Sequence, residues 1–147
     1  VFSAVRGLEV DAVATIGPHV DPANLGDVPS NVRVERFVPQ AELLGRVAAV
    51  ISHGGAGTVL GAAARGRPQL VVPLFADQWE NRIAVRDAGC GVLVRPDRRS
   101  VEDLEGSLRT LLDGTSHRDA AARVADEVAA MPSASELVSE IEALADV

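Results

Sequence analysis

Ala48-Ala49-Val50-Ile51-Ser52-His53-Gly54-Gly55-Ala56-Gly57-Thr58-Val59-Leu60-Gly61-Ala62-Ala63-Ala64-Arg65 is the stretch whose reading decides the fold. Ala48 to Ser52 reads as a buried strand, and Gly57 to Arg65 as a helix opened by glycines. Small residues between a strand and a helix let backbone N–H groups approach a ligand at the helix N-terminus, where the peptide dipoles favour an anion. His53 adds a side-chain donor and Thr58 a hydroxyl, a set that suits a pair of phosphates better than a carboxylate. The competing reading is that the glycines only permit tight packing of helix against strand. The stretch is not a P-loop, because the Gly-Lys-Ser/Thr ending is absent. Nor is it a dinucleotide fingerprint, because the spacing and the histidine differ.

Working outward, strands and helices keep alternating. Val1 to Leu8 has the apolar spacing of the end of a helix, Val10 to Ile16 reads as a strand, and Asp21 to Asn31 as a loop. Val32 to Phe37 is a second strand and Ala41 to Val47 a short helix. Beyond the central stretch, Gln69 to Pro73 and Gly91 to Val94 read as strands on either side of a helix, Gln78 to Ala88. Apolar residues at Val101, Leu104, Leu108, Leu111 and Leu112 predict a helix capped by Ser100, with Asp103 at its third position and Gly114 at its end. Two more helices are predicted over Ala120 to Met131 and Ser135 to Leu144, separated by Pro132. This pattern predicts an α/β fold: a Rossmann-like, mostly parallel sheet with helices on both faces. Ligands of such sheets bind outside the carboxyl ends of the strands, which directs attention to Phe37 to Gln40, Ser52 to Thr58 and Pro73 to Asn81.

Length and composition bound the function. The 147 residues suit one domain, and 47% apolar with 24% charged residues is the balance of a folded protein. Aromatics are only 3% of the chain, so the core must be Val, Leu, Ile and Ala. A net charge of −7 disfavours broad contact with nucleic acid or an anionic membrane. Cys90 is the sole cysteine and reads as a small buried residue at a helix-to-strand corner. His19 and His117 lack metal-ligand spacing and read as surface histidines, and the run Arg95 to Arg99 reads as a solvated loop. No apolar run reaches the ~20 residues needed to span a bilayer, which leads us to expect a cytoplasmic protein. The opening Val1-Phe2-Ser3 without Met reads as an excerpt of something longer.

Three motifs in order, Phe37-Val38-Pro39-Gln40, His53-Gly54-Gly55-Ala56-Gly57-Thr58, and Pro73 followed by Asp77-Gln78 and Asn81, resemble the donor-binding signature of nucleotide-sugar-dependent glycosyltransferases of family 1, with the GT-B fold. The likeness runs from Val10 to Val94 and is of the actinobacterial type that decorates antibiotics and other natural products. It implies the C-terminal, donor-binding half of a GT-B fold, with a separate N-terminal acceptor domain or chain as its partner. Phe37, Val38 and Gln40 are implied at the nucleobase, with a packing pair at a strand end as the alternative. His53, Gly55, Ala56, Gly57 and Thr58 are implied at the diphosphate. Asp77 and Gln78 are implied at the sugar hydroxyls. Trp79 either lines the sugar or anchors its helix, and Asn81 either caps that helix or contacts phosphate.

The resemblance further implies an inverting transfer of a (deoxy)sugar from a dTDP- or UDP-sugar to a hydroxyl of a small molecule. No metal or other cofactor is expected, and the catalytic base belongs to the acceptor half. Two departures stand out. Gly61 replaces a Glu that contacts ribose in many relatives, which eases acceptance of a deoxyribose. The family's first strand and its Gly-Thr/Ser loop are also missing. Two competing expectations are a sugar-nucleotide-binding subunit of a split, two-chain transferase, and half of a nucleotide-sugar epimerase.

Overall fold

The computed structural model describes residues 1–95 and 97–145. The chain runs through α1 (Phe2–Arg6), β1 (Ala12–Thr15), a 3-10 turn (Pro22–Leu25), β2 (Val32–Glu35), α2 (Gln40–Leu44) and β3 (Val50–Ser52). It continues through α3 (Ala56–Ala63), β4 (Gln69–Val71), α4 (Gln78–Asp87), β5 (Gly91–Leu93), α5 (Val101–Asp113), α6 (Ser116–Ala129) and α7 (Ala134–Ala145). Every strand and helix expected from periodicity is present, and all strand pairs are parallel. The strands are one to three residues shorter than their apolar runs, because pairing stops before the runs do. Helix α6 begins at Ser116, four residues ahead of Ala120, since its polar first turn carries no apolar period to read.

Among the described residues the strands fall into two sheets rather than the single sheet expected. β1 pairs with β2, in register from Ala12 opposite Val32 to Thr15 opposite Glu35. The other sheet has the order β3-β4-β5, with Ile51 opposite Leu70 and Leu70 opposite Val92. Among the described residues, β1 and β3 each keep one edge without a strand partner. One core nevertheless joins both sheets: Ala4 and Val5 of α1 and Leu8 just beyond it pack with Val32, Leu70 and Val94 and with Leu104, Leu108 and Leu111 of α5. Alternation along β4 sends the neighbouring Val71 to the opposite face. There it meets Val59 of α3, Val85 of α4, Cys90, and Ala120 and Ala121 of α6. Helices therefore cover both faces, as expected.

Ser100 caps α5: its Oγ accepts from the Asp103 amide at 3.1 Å and donates to Asp103 Oδ2 at 3.0 Å. Cys90 is buried at the turn from α4 to β5, its Sγ directed at the Val85 carbonyl, and burial pushes its thiol pKa up. One surface assignment needs correction. His19 is exposed, but His117 is half-buried at the start of α6, with Nδ1 2.8 Å from the Gly89 carbonyl. Ahead of Ala120, that polar turn folds back onto the α4–β5 corner. No described helix is long and apolar enough to cross a membrane.

Candidate functional site

Parallel pairing places the carboxyl ends of β3 and β4 side by side, a hydrogen bond from Gln40 to Thr58 brings the loop after β2 to them, and these three loops carry the three motifs. After β3 the chain turns sharply at Gly54, whose φ is +90° and whose amide donates to Ser52 Oγ at 3.1 Å. A Cβ on Gly54 would stand 2.5 Å from Val71 Cγ1, so only glycine fits between this loop and the core. Gly55 then caps α3 without any side-chain bond. The amides of Ala56 and Gly57 take no acceptor among the described residues, as the first turn of a helix dictates. His53 is exposed and folds back over this turn, its Nε2 2.8 Å from where a Gly55 Cβ would be. An imidazole, two free amides and a helix N-terminus thus converge on one exposed spot suited to an anion.

Two side-chain bonds tie the other motifs to this loop. Gln40 Nε2 donates to Thr58 Oγ1 at 2.9 Å, linking the loop after β2 to the first turn of α3. The threonine oxygen is used as an acceptor, so its O–H remains available to donate outward. Asn81 Nδ2 donates to the Gly54 carbonyl at 2.8 Å and to Asp77 Oδ2 at 3.1 Å, linking α4 to the glycine loop. Asn81 therefore holds the two loops together rather than capping α4 through a backbone amide. Above them Phe37 is 75% exposed and Val38 half-buried, so the phenyl ring is open to a planar ligand. Gly61 faces the same side: a Cβ there would lie 3.1 Å from Leu44 Cδ1 and 3.9 Å from Gln40 Oε1.

Asp77 and Gln78, adjacent in sequence, occupy different environments. Asp77 is exposed at the start of α4. Gln78 is only 4% exposed, and its Oε1 accepts from the amides of Leu74 and Phe75 at 2.8 and 3.1 Å. Its Nε2 has no acceptor among the described residues and is the group it can offer a ligand. Trp79 is half-buried and carries the Arg82 guanidinium 4.8 Å and the Arg99 guanidinium 5.9 Å from its ring centre. No cluster of three His, Cys, Asp or Glu side chains able to hold a metal occurs among the described residues.

Sequence reasoning missed Arg99. The described residues of the run Arg95 to Arg99 are all exposed, as expected of a solvated loop: Arg95 pairs with Asp97 and Arg98 with Asp103, and a backbone hydrogen bond, ahead of the two arginines, holds the Asp97 carboxyl below its usual range. Pro96 of that run lies outside the described residues. Arg99, however, donates Nη2 to the Pro73 carbonyl at 2.6 Å, a contact across 26 positions that no local pattern announces. Also unforeseen is Ala76, the non-glycine residue with φ of +55°, in the loop between β4 and α4. Such a φ is uncommon for alanine and marks a loop held by its surroundings.

Comparison with known proteins identifies the family. Residues 1–144 match the family described as erythromycin biosynthesis protein CIII-like, C-terminal domain, and the chain belongs to that family. It is 36% identical over 96% of its length to 4'-demethylrebeccamycin synthase of Lentzea aerocolonigenes, of which it covers 34%. It is likewise 36% identical to aklavinone 7-beta-L-rhodosaminyltransferase of Streptomyces galilaeus, covering 98% of this chain and 32% of the relative. Among solved structures, the glycosyltransferase VinC in complex with dTDP superposes with a TM-score of 0.89 at 34% identity, over 99% of this chain and 36% of that one. The spinosyn rhamnosyltransferase SpnG complexed with thymidine diphosphate gives 0.87 at 33% identity, over 96% of this chain and 39% of that one. The fold is that of the C-terminal half of GT-B glycosyltransferases, and the chain spans about a third of the length of these relatives.

Proposed function

We propose that this chain is the donor-binding domain of an inverting glycosyltransferase that moves a (deoxy)sugar from a dTDP- or UDP-sugar to a hydroxyl of a small natural product. The observation that carries the proposal is the pair of bonds Gln40–Thr58 and Asn81–Gly54, which gathers all three motifs around the open N-terminus of α3. Two similar structures, VinC and SpnG, are complexes with thymidine diphosphate (dTDP), which supports a nucleoside diphosphate as the ligand. The diphosphate would take the Ala56 and Gly57 amides, His53 and the Thr58 O–H. The base would rest by Phe37 and Val38, and Asp77 with the Gln78 Nε2 would meet sugar hydroxyls. Gly61 presents no side chain toward Gln40, which favours a deoxyribose over a ribose that needs a polar partner there.

In the transfer, the acceptor oxygen bonds to the anomeric carbon as the bond from that carbon to the diphosphate oxygen breaks. The acceptor's proton passes to a base in the N-terminal domain, and negative charge collects on the diphosphate. Fixed donors at the helix N-terminus, with His53, stabilise that charge as it develops, a role that calls for no metal. The open edges of β1 and β3 support a further part of this reading. A strand from the longer protein, entering between them and leading into α1, would join the two sheets into one by right-handed crossovers. The test is calorimetry with dTDP, UDP and their glucose derivatives, followed by mass spectrometry of acceptor mixtures. Binding of a nucleoside diphosphate without turnover by residues 1–147 supports the proposal. Turnover by these residues alone, abolished by substituting His53 or Asp77, would place the catalytic base in this half and sink it.

A further inference from the structure

The loop from Leu74 to Asp77 connects β4 to α4 and presents Asp77 to the site. All four of its side chains are exposed, Leu74 and Phe75 at 63% and 66%. No apolar burial pins this loop, so its shape must rest on polar contacts to its backbone. Gln78 Oε1 supplies one anchor through the Leu74 and Phe75 amides, from within the same segment. Asn81 holds the Asp77 carboxylate, and a further anchor comes from beyond β5, where Arg99 donates to the carbonyl of the buried Pro73 at 2.6 Å. The same guanidinium lies 5.9 Å from the Trp79 ring centre. Arg82, closer to that ring, donates Nη1 to the Val94 carbonyl at 3.4 Å, at the end of β5. The loop is thus gripped at its start by Arg99 and at its amides by Gln78, and Ala76 between them keeps a φ of +55°.

We propose that Arg99 is a positioning residue for the donor sugar: through Pro73 and Trp79 it sets the loop that aims Asp77 and the Gln78 amide at the sugar hydroxyls. This rests on the donor-domain reading given above. A charge-assisted bond to a carbonyl beside the loop outweighs a neutral one, and its loss frees the loop without touching the glycine turn or α3. Arg99 therefore governs affinity for the sugar half of the donor and leaves the nucleotide half alone. Arg95, four residues earlier and paired with Asp97, plays no such part.

The experiment measures Kd for dTDP, UDP, dTDP-glucose and UDP-glucose by calorimetry in the full-length protein, with Arg99→Met, Arg99→Lys and Arg95→Met, alongside melting curves. Arg99→Met is expected to weaken the nucleotide sugar about tenfold, the loss typical of one charge-assisted hydrogen bond, and the bare nucleoside diphosphate less than twofold. Arg99→Lys, whose ammonium can still donate to the Pro73 carbonyl, should recover part of the loss, and Arg95→Met should match the parent. Equal weakening of both ligands by Arg99→Met, or no weakening of either, overturns the inference while leaving the donor-domain reading intact. A parent protein that binds neither nucleoside diphosphate overturns both.

Discussion

Gly54 and Val71 lie in van der Waals contact across the turn between β3 and α3, with the Gly54 α-carbon facing Val71 Cγ1 at a distance that leaves no room for a methyl group. Val71 is completely buried among residues of α3, α4 and α6 and cannot retreat. The backbone carbonyl of Gln78 closes the same space, 3.4 Å from that missing methyl. The glycine loop therefore takes its position from the core and passes it on to α4.

Gly54→Ala is accordingly expected to cost about 2–4 kcal/mol of stability, from overpacking together with a left-handed φ on an L-residue. Chemical denaturation measures this. Val71→Ala combined with it should cost less than the sum of the two single changes, because the cavity admits the new methyl. Strict additivity would mean that the strain resides in the backbone alone.

Asn81→Ala should lower stability by about 1–2 kcal/mol, since it leaves the part-buried Gly54 carbonyl without its partner. Nucleoside diphosphate binding should weaken with it, as the glycine loop loses its tie to α4. Asn81→Asp is expected to be worse, because a carboxylate would face the Gly54 carbonyl and Asp77 Oδ2. Calorimetry and thermal melting on the two variants test the order.

His53→Ala should weaken dTDP or UDP binding by about 1–3 kcal/mol, the loss of one hydrogen bond to a charged group. Its melting temperature should barely move, because His53 is exposed and makes no bond to the rest of the chain among the described residues. Unchanged affinity with the fold intact would remove His53 from the phosphate site.

Asp77→Asn and Gln78→Ala, adjacent in sequence, should behave differently. Asp77 is exposed, so its change is expected to weaken the nucleotide sugar and spare both the bare nucleoside diphosphate and the melting temperature. Gln78 is buried and holds two loop amides, so its truncation should also destabilise the protein by about 1–3 kcal/mol. Parallel melting curves of the two variants decide the matter.

Cys90 should resist thiol reagents in the native protein near neutral pH and react once the chain unfolds. Burial raises its folded pKa, so the native state favours the neutral thiol. Its contribution to stability is complete below the pKa of an unfolded thiol and declines as the pH rises through the folded value. Rapid labelling of the native protein at pH 7 would contradict this.

The alternation of strands and helices was legible in the sequence because each element writes its own period: two for strands, near 3.6 for helices such as α5, whose apolar positions from Leu104 to Leu111 all turn inward. The same holds for the glycine loop and the three motifs, which are contiguous and carry their chemistry in residue types. Local pattern also placed the cap at Ser100 and the burial of Cys90. What only the tertiary structure decided are relations between segments far apart in the chain. Periodicity says that β1 and β3 are strands but not which strand each has beside it, and here each has an open edge. Residue type made Asp77 and Gln78 look like a pair, yet the packing of α4 turns one outward and the other into the loop amides. Arg99 sat in a charge run that reads as solvent, and its bond to Pro73 exists only because β4 and β5 are neighbours in the sheet. Short-range periodicity is set by backbone geometry within a few residues, whereas such contacts depend on which elements the shared core brings together.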